Sequence, residues 1–158
     1  LTFEATIYER GSAEIRRKIN VGQFIIERSE KFIAIKPFAS RYEWEVHILP
    51  LLHQADFLAA GTDDLVDLAA IFRRTMSRLN AVLGGAQYNF FIHSIPHGDE
   101  YKGNAPAFHW HIEICPRTTI PSGFELGSGL FVNTISPEDA AERLRNVDLT
   151  DTSQQSAT

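Results

Sequence analysis

The chain has one cysteine, Cys115, among 158 residues. That scarcity excludes an internal disulfide and any metal cluster built on cysteine alone. It sets the expectation of a reducing, cytoplasmic environment. No apolar run reaches the length of a membrane span, and no signal-peptide pattern opens the chain. Positive charge is also in short supply: 15 Lys and Arg against 20 Asp and Glu give a formal net charge of −5. Arg16-Arg17-Lys18 is too short to make a basic stripe, which argues against a nucleic-acid surface. There is no internal repeat and no low-complexity segment. The first residue is Leu1 rather than methionine, as in a processed chain, a fragment, or a chain whose start is not shown.

What is present fits one globular domain with a true core, at an ordinary hydrophobic content of 44%. The apolar runs FIIER (24–28) and FIAIK (32–36) predict a β-hairpin, and Pro37 stops its second strand. WEVHILP (44–50) alternates and ends at Pro50, a third strand. Residues 63–83 carry Leu65, Leu68, Ile71, Phe72, Met76, Leu79 and Leu83 at helical spacing, with Asp63 and Asp64 at the N-terminal end and Gly84-Gly85 closing it. Residues 88–95 and 108–115 read as fourth and fifth strands, separated by loop residues 96–107. Residues 118–130 read as a glycine-containing loop and Phe131–Asn133 as a short strand. A last helix follows, with Ser136 as N-cap, Pro137 at its first position and Asp139 in the capping-box position. The polar end, DLTDTSQQSAT, reads as a loose tail. Together these predict an α+β domain with a mainly antiparallel sheet.

The chemistry concentrates in AFHWHIEICPR, residues 107–117. Side chains on a strand alternate, so His109, His111 and Glu113 point one way while Trp110, Ile112 and Ile114 point into a core. If strands four and five pair, His93 stands beside His111 on the same face. His93, His111 and Glu113 then offer two nitrogens and one oxygen, a donor set suited to zinc or iron. The remaining ligand is water, His109, or a group from outside the chain. His47 and His53 read as half-buried strand histidines satisfied by hydrogen bonds. In a second reading His111 is a nucleophile toward phosphorus, oriented by His109 or by a carbonyl.

The ordered series PFASRYEWEVHILPLLH, YNFFIHSIP, FHWHIEICPR, SGFELGSGLFVN and SPEDAAERLR, with the helix after the first, resembles the C-terminal half of galactose-1-phosphate uridylyltransferases. These are members of the histidine triad superfamily. The resemblance runs from about residue 20 to 146. It leaves 1–20 as an extension, 21–146 as a histidine-triad-like domain and 147–158 as a tail. It implies a curved, mainly antiparallel sheet with one long helix and a C-terminal helix, and a homodimer in which each subunit has two such halves. It also implies action on UDP-hexose and hexose 1-phosphate in galactose metabolism. The family's nucleophile motif, His-Pro-His-Gly-Gln, belongs to the N-terminal half and is absent here. IPHGDE shares only Pro96-His97-Gly98 with it and has Asp99 for the glutamine, so His97 is a minor candidate. The resemblance further implies a structural metal held by His93 and His111, with Glu113 where many members have a second histidine and the fourth ligand from the N-terminal half. Gly123, Phe124 and Glu125 match a segment that holds the sugar phosphate across a dimer interface. Two other readings stand beside this one: a free-standing histidine-triad nucleotide hydrolase or transferase using His111, and a non-catalytic domain that binds nucleotide sugars.

Overall fold

The computed structural model describes residues 21–98, 101, 105 and 108–149. The expected N-terminal extension, including Arg16-Arg17-Lys18, lies outside the described residues, as does the tail beyond 149. Five strands form one antiparallel sheet: β1 (Ile25–Arg28), β2 (Phe32–Ile35), β3 (Val46–Pro50), β4 (Tyr88–His93) and β5 (His111–Pro116). Their order across the sheet is β1-β2-β3-β5-β4. The helices are α1 (Thr62–Leu83), α2 (Gly123–Ser128) and α3 (Pro137–Arg145). None of the described helices is long and apolar enough to cross a membrane.

Alternation gives the sheet two different faces. Phe32, Ala34, Val46, Ile48, Ile112 and Ile114 point toward the helices and pack with Leu68, Ile71 and Leu79 of α1 and Ala140, Ala141 and Leu144 of α3. Trp110 joins this core against Phe32 and Phe57, and its indole N–H donates to Gln54. Burial of this apolar surface is the main force holding the layers together. The opposite face holds Ile33, Ile35 and Leu49 on one side. On its other side the same parity brings out His47, His111, Glu113 and His93.

The ends of α1 follow its sequence. The Gly61 N–H donates to Asp64 at the start, and Gly84 closes the helix at φ 65°, a left-handed conformation that favours glycine. Ser136 caps α3 by accepting from the Asp139 N–H.

Three expectations are corrected. Strand β5 begins at His111 rather than 108, because the Trp110 N–H turns away to the Gln54 carbonyl. Residues 123–128 form helix α2 rather than loop, because the Glu125 carboxylate accepts from both the N–H and the hydroxyl of Ser122, and Gly129 ends the turn at φ 71°. Phe131–Asn133 is not a strand. The Phe131 ring instead lies beside Tyr42 and under the Arg41 guanidinium, which sits 4.3 Å from its centre.

Candidate metal centre

The register of three strands decides which polar side chains meet. Glu113 of β5 faces His47 of β3 on one side and Phe91 of β4 on the other, while His93 faces His111. The rings stack in a row across the sheet, His47 to His111 at 5.1 Å between centres and His111 to His93 at 4.9 Å. All three Nε2 atoms approach one carboxylate oxygen, Glu113 Oε1: His93 at 3.1 Å, His111 at 3.2 Å and His47 at 3.7 Å. The ligating atoms of His47, His111 and Glu113 all lie within 4.8 Å of one another. Two imidazole nitrogens and a carboxylate oxygen this close, with a third imidazole alongside, suit zinc or iron in donor type.

The surroundings fix these rings. His111 Nδ1 is 3.1 Å from the His109 carbonyl, which sets the ring so that Nε2 faces Glu113. Burial lowers the His111 pKa, and the nearby His47 and His93 add to that; the His109 carbonyl and Glu113 pull the other way without reversing it. The net shift favours the neutral imidazole, the form that can bind a metal. On the far side, His47 Nε2 is 2.9 Å from Glu45 Oε1. The other oxygen of Glu45 accepts from the N–H groups of Arg41 and Tyr42 at 2.9 and 3.0 Å. Burial alone would raise the Glu45 pKa, but the His47 bond and these backbone N–H groups together hold it below the usual value.

The candidates read from sequence thus divide. His93, His111 and Glu113 come together. His109 does not join them: it precedes β5, is buried, and places Nε2 2.8 Å from the Pro50 carbonyl with its ring against His53. Burial lowers its pKa as well. Its Nδ1 and the Nε2 of His53 are buried without a hydrogen-bond partner, so the reading of His53 as a satisfied histidine is corrected. His47 is the member that sequence reading put aside. Alternation in WEVHILP already opposed it to Val46 and Ile48, but its pairing with Glu113 is a matter of tertiary register. His97 is exposed in the loop after β4. Phe124 stands exposed on α2, while the Glu125 carboxylate is engaged by Ser122. Cys115, on the sheet face that carries Glu113, is buried and has its thiol pushed up to about 11 by burial and by Glu45 and Glu113, which makes it a poor thiolate ligand.

No family model matches the chain. Among curated proteins it is 32% identical over 127 residues to ADP-glucose phosphorylase of Arabidopsis thaliana, covering 80% of this chain and 36% of that protein. It is 24% identical over 131 residues to the galactose-1-phosphate uridylyltransferase of Thermotoga maritima, covering 78% of this chain and 41% of that protein. The chain therefore spans about two fifths of the length of the curated relatives it matches. The crystal structure of the Arabidopsis phosphorylase with bound ADP-glucose superposes at a TM-score of 0.73, with 30% identity, over 80% of this chain and 41% of that one. A zinc-bound histidine triad family protein from Mycobacterium smegmatis shares the fold at a TM-score of 0.55, with 19% identity, over 90% of this chain and 88% of that one.

Proposed function

We propose that this chain, a relative of the galactose-1-phosphate uridylyltransferase family of the histidine triad superfamily, serves as the C-terminal half of such a nucleotidyltransferase. In this reading residues 21–146 are the histidine-triad-like unit. They supply a structural zinc or iron centre through His93, His111 and Glu113, and a sugar-phosphate-binding segment through Gly123, Phe124 and Glu125. The nucleophile comes from an N-terminal half carrying His-Pro-His-Gly-Gln. The observation that carries the proposal is the convergence of imidazole nitrogens on Glu113 Oε1, in a chain matched over 80% of its length by a sugar-nucleotide enzyme.

Each protein group has a distinct task. His111 and Glu113 of β5 stand beside His93 of β4, and a bound cation would tie the two strands through bonds to one centre. That would stiffen the sheet without acting on substrate. Glu125, an acid on an exposed helix, can accept hydrogen bonds from sugar hydroxyls, and Phe124 offers an apolar surface to the ring. Two features support partners. Edge strand β4 exposes Tyr88, Phe90, Phe91 and Ile92, which suits the other half of the enzyme. Segment 120–132 exposes Ile120, Phe124, Leu126, Leu130 and Val132, which suits a homodimer contact. UDP-hexose or ADP-glucose with a hexose 1-phosphate or phosphate are the substrates in keeping with the relatives. The setting is cytoplasmic.

One observation favours a second reading, in which His111 attacks a nucleotide phosphate: the His109 carbonyl orients its ring with Nε2 outward. Glu113 beside that nitrogen opposes it, since a carboxylate repels a phosphate. The experiment is the intact mass of the 158-residue chain after incubation with UDP-glucose or ADP-glucose. The first reading predicts no covalent nucleotidyl adduct. An adduct that disappears in His111→Ala replaces it with the second.

A further inference from the structure

We infer that Ser40 and Lys36 form a nucleophile–base pair, in which the Lys36 amine takes the Ser40 hydroxyl proton, and that their substrate is a small uncharged carboxylic ester. Both residues lie on the connection between β2 and β3. The pair uses none of the residues of the candidate metal centre, and the inference is independent of the nucleotidyl-transfer reading.

A fully buried lysine is costly to keep, and this one has specific partners. Its Nζ hydrogen-bonds with the Ser40 hydroxyl and with the Tyr42 carbonyl, the latter at 3.3 Å. The two nearby acids are engaged elsewhere: Glu45 by His47 and by the N–H groups of Arg41 and Tyr42, and Glu43 by the Thr134 N–H. Burial outweighs the pull of Glu45, Glu43 and Cys115 and brings Lys36 down to about 8, so part of it is the free amine at neutral pH. The free amine keeps an N–H for the Tyr42 carbonyl and turns its lone pair to Ser40, whose hydroxyl then donates. Ser40 itself is only half-buried. The Asn133 side-chain amide donates to the Ser40 carbonyl at 3.0 Å and reaches its Oγ at 3.4 Å. It therefore holds an N–H beside the attacking oxygen, where charge develops on a substrate carbonyl. Nucleophile, base, orienting carbonyl and oxyanion donor are thus together in one place.

The surroundings select the substrate class. Glu43 and Glu45 on the same connection disfavour an anion. Phe38, exposed two residues before Ser40, offers apolar surface to an acyl group. Ser40 Oγ bonds to the ester carbonyl carbon as its proton passes to Lys36 Nζ. The bond from that carbon to the alcohol oxygen breaks, and Lys36 returns the proton to the leaving oxygen. Water then attacks the acyl-serine and gives a proton to Lys36. The carboxylic acid leaves as Ser40 takes that proton back. The sum is ester plus water giving acid plus alcohol.

The test uses a fluorophosphonate ester, which an activated serine attacks to form an Oγ–P bond with release of fluoride, the serine proton going to Lys36. The 158-residue chain is followed by intact mass across pH 6–10, and peptide mapping places the adduct. The expected result is one adduct per chain, on Ser40, with a rate that rises with pH to a plateau and has its midpoint at about 8. Ser40→Ala takes no adduct. Lys36→Met slows labelling by at least about 100-fold. Lys36→Arg, which keeps the charge but does not give up its proton in this range, slows it as much. Nitrophenyl acetate is hydrolysed faster by the wild-type chain than by Ser40→Ala. No adduct on Ser40 in the wild type, a rate flat across the pH range, or labelling of Lys36→Arg at the wild-type rate overturns the pair. Equal hydrolysis by wild type and Ser40→Ala overturns the ester assignment. The pH profile is read on the wild-type chain, so it decides even where a variant at position 36 does not fold.

Discussion

His47 and Glu113 face each other across β3 and β5, with Nε2 3.7 Å from Oε1. Neither residue is conspicuous alone. Together with His111 they make the one compact set of potential metal ligands among the described residues, and His93 approaches the same Glu113 oxygen from β4. The Glu113 carboxylate is the atom group on which the proposed centre depends.

Glu113 is predicted to matter for its charge and its donor type. Glu113→Gln keeps the shape but loses the anionic oxygen, and zinc affinity should fall at least about tenfold. Glu113→His substitutes another zinc ligand and should keep most of it. Competition for zinc against a chromophoric chelator measures both. Equal affinity in wild type and Glu113→Gln would remove the carboxylate from the centre.

Lys36 gives a pH prediction. Its side chain is 1% exposed, donating to the Ser40 hydroxyl and the Tyr42 carbonyl. Burial holds its pKa down to about 8 against the opposing pull of Glu45 and Glu43, from an ordinary 10.5. Between these values the unfolded chain binds more protons than the folded one, so stability rises with pH across that window. It is lost again as pH falls toward 8, and below that the folded state carries the full cost of the buried charge, on the order of 3 kcal/mol. Lys36→Met removes the titration. Thermal unfolding should show the variant gaining on wild type as pH drops from 10 to 7. A constant difference across that range would contradict the assignment.

Arg78 ties three elements together. Its guanidinium donates to the carbonyls of Leu144, Arg145 and Val147 at the end of α3 and to Glu27 of β1. Arg78→Ala should cost about 2–3 kcal/mol in denaturant unfolding, because several acceptors lose their partner at once. Arg78→Lys should recover only part, since a single ammonium cannot span the same set.

Glu125 separates binding from folding. It lies on an exposed segment and its carboxyl is held below its ordinary range by bonds from Ser122. On the proposed reading, in an enzyme completed by an N-terminal half, Glu125→Gln should raise the KM for the sugar phosphate, with a melting temperature close to wild type. An unchanged KM would withdraw the substrate role of α2.

The long helix and the five strands were legible because each carries one clean period: 3.6 residues through Leu68, Ile71 and Leu79, and two through Val46, Ile48, Ile112 and Ile114. Helix α2 was hidden because its glycines argue for loop, and only the Ser122–Glu125 bonds outweigh them. The site was legible in part. His111 and Glu113 share a strand, so their common face follows from alternation. His47 does not, and no local pattern states that β3 and β5 are neighbours in this register. His109 failed for the opposite reason: alternation put it with His111, but the chain leaves the sheet at Trp110.

The most direct measurement is zinc K-edge X-ray absorption on the purified, zinc-loaded chain. The account predicts one zinc per chain, with a nitrogen and oxygen shell at about 2.0–2.2 Å and outer scattering from imidazole rings. A chain that retains no zinc, or a six-oxygen shell without imidazole scattering, would contradict it.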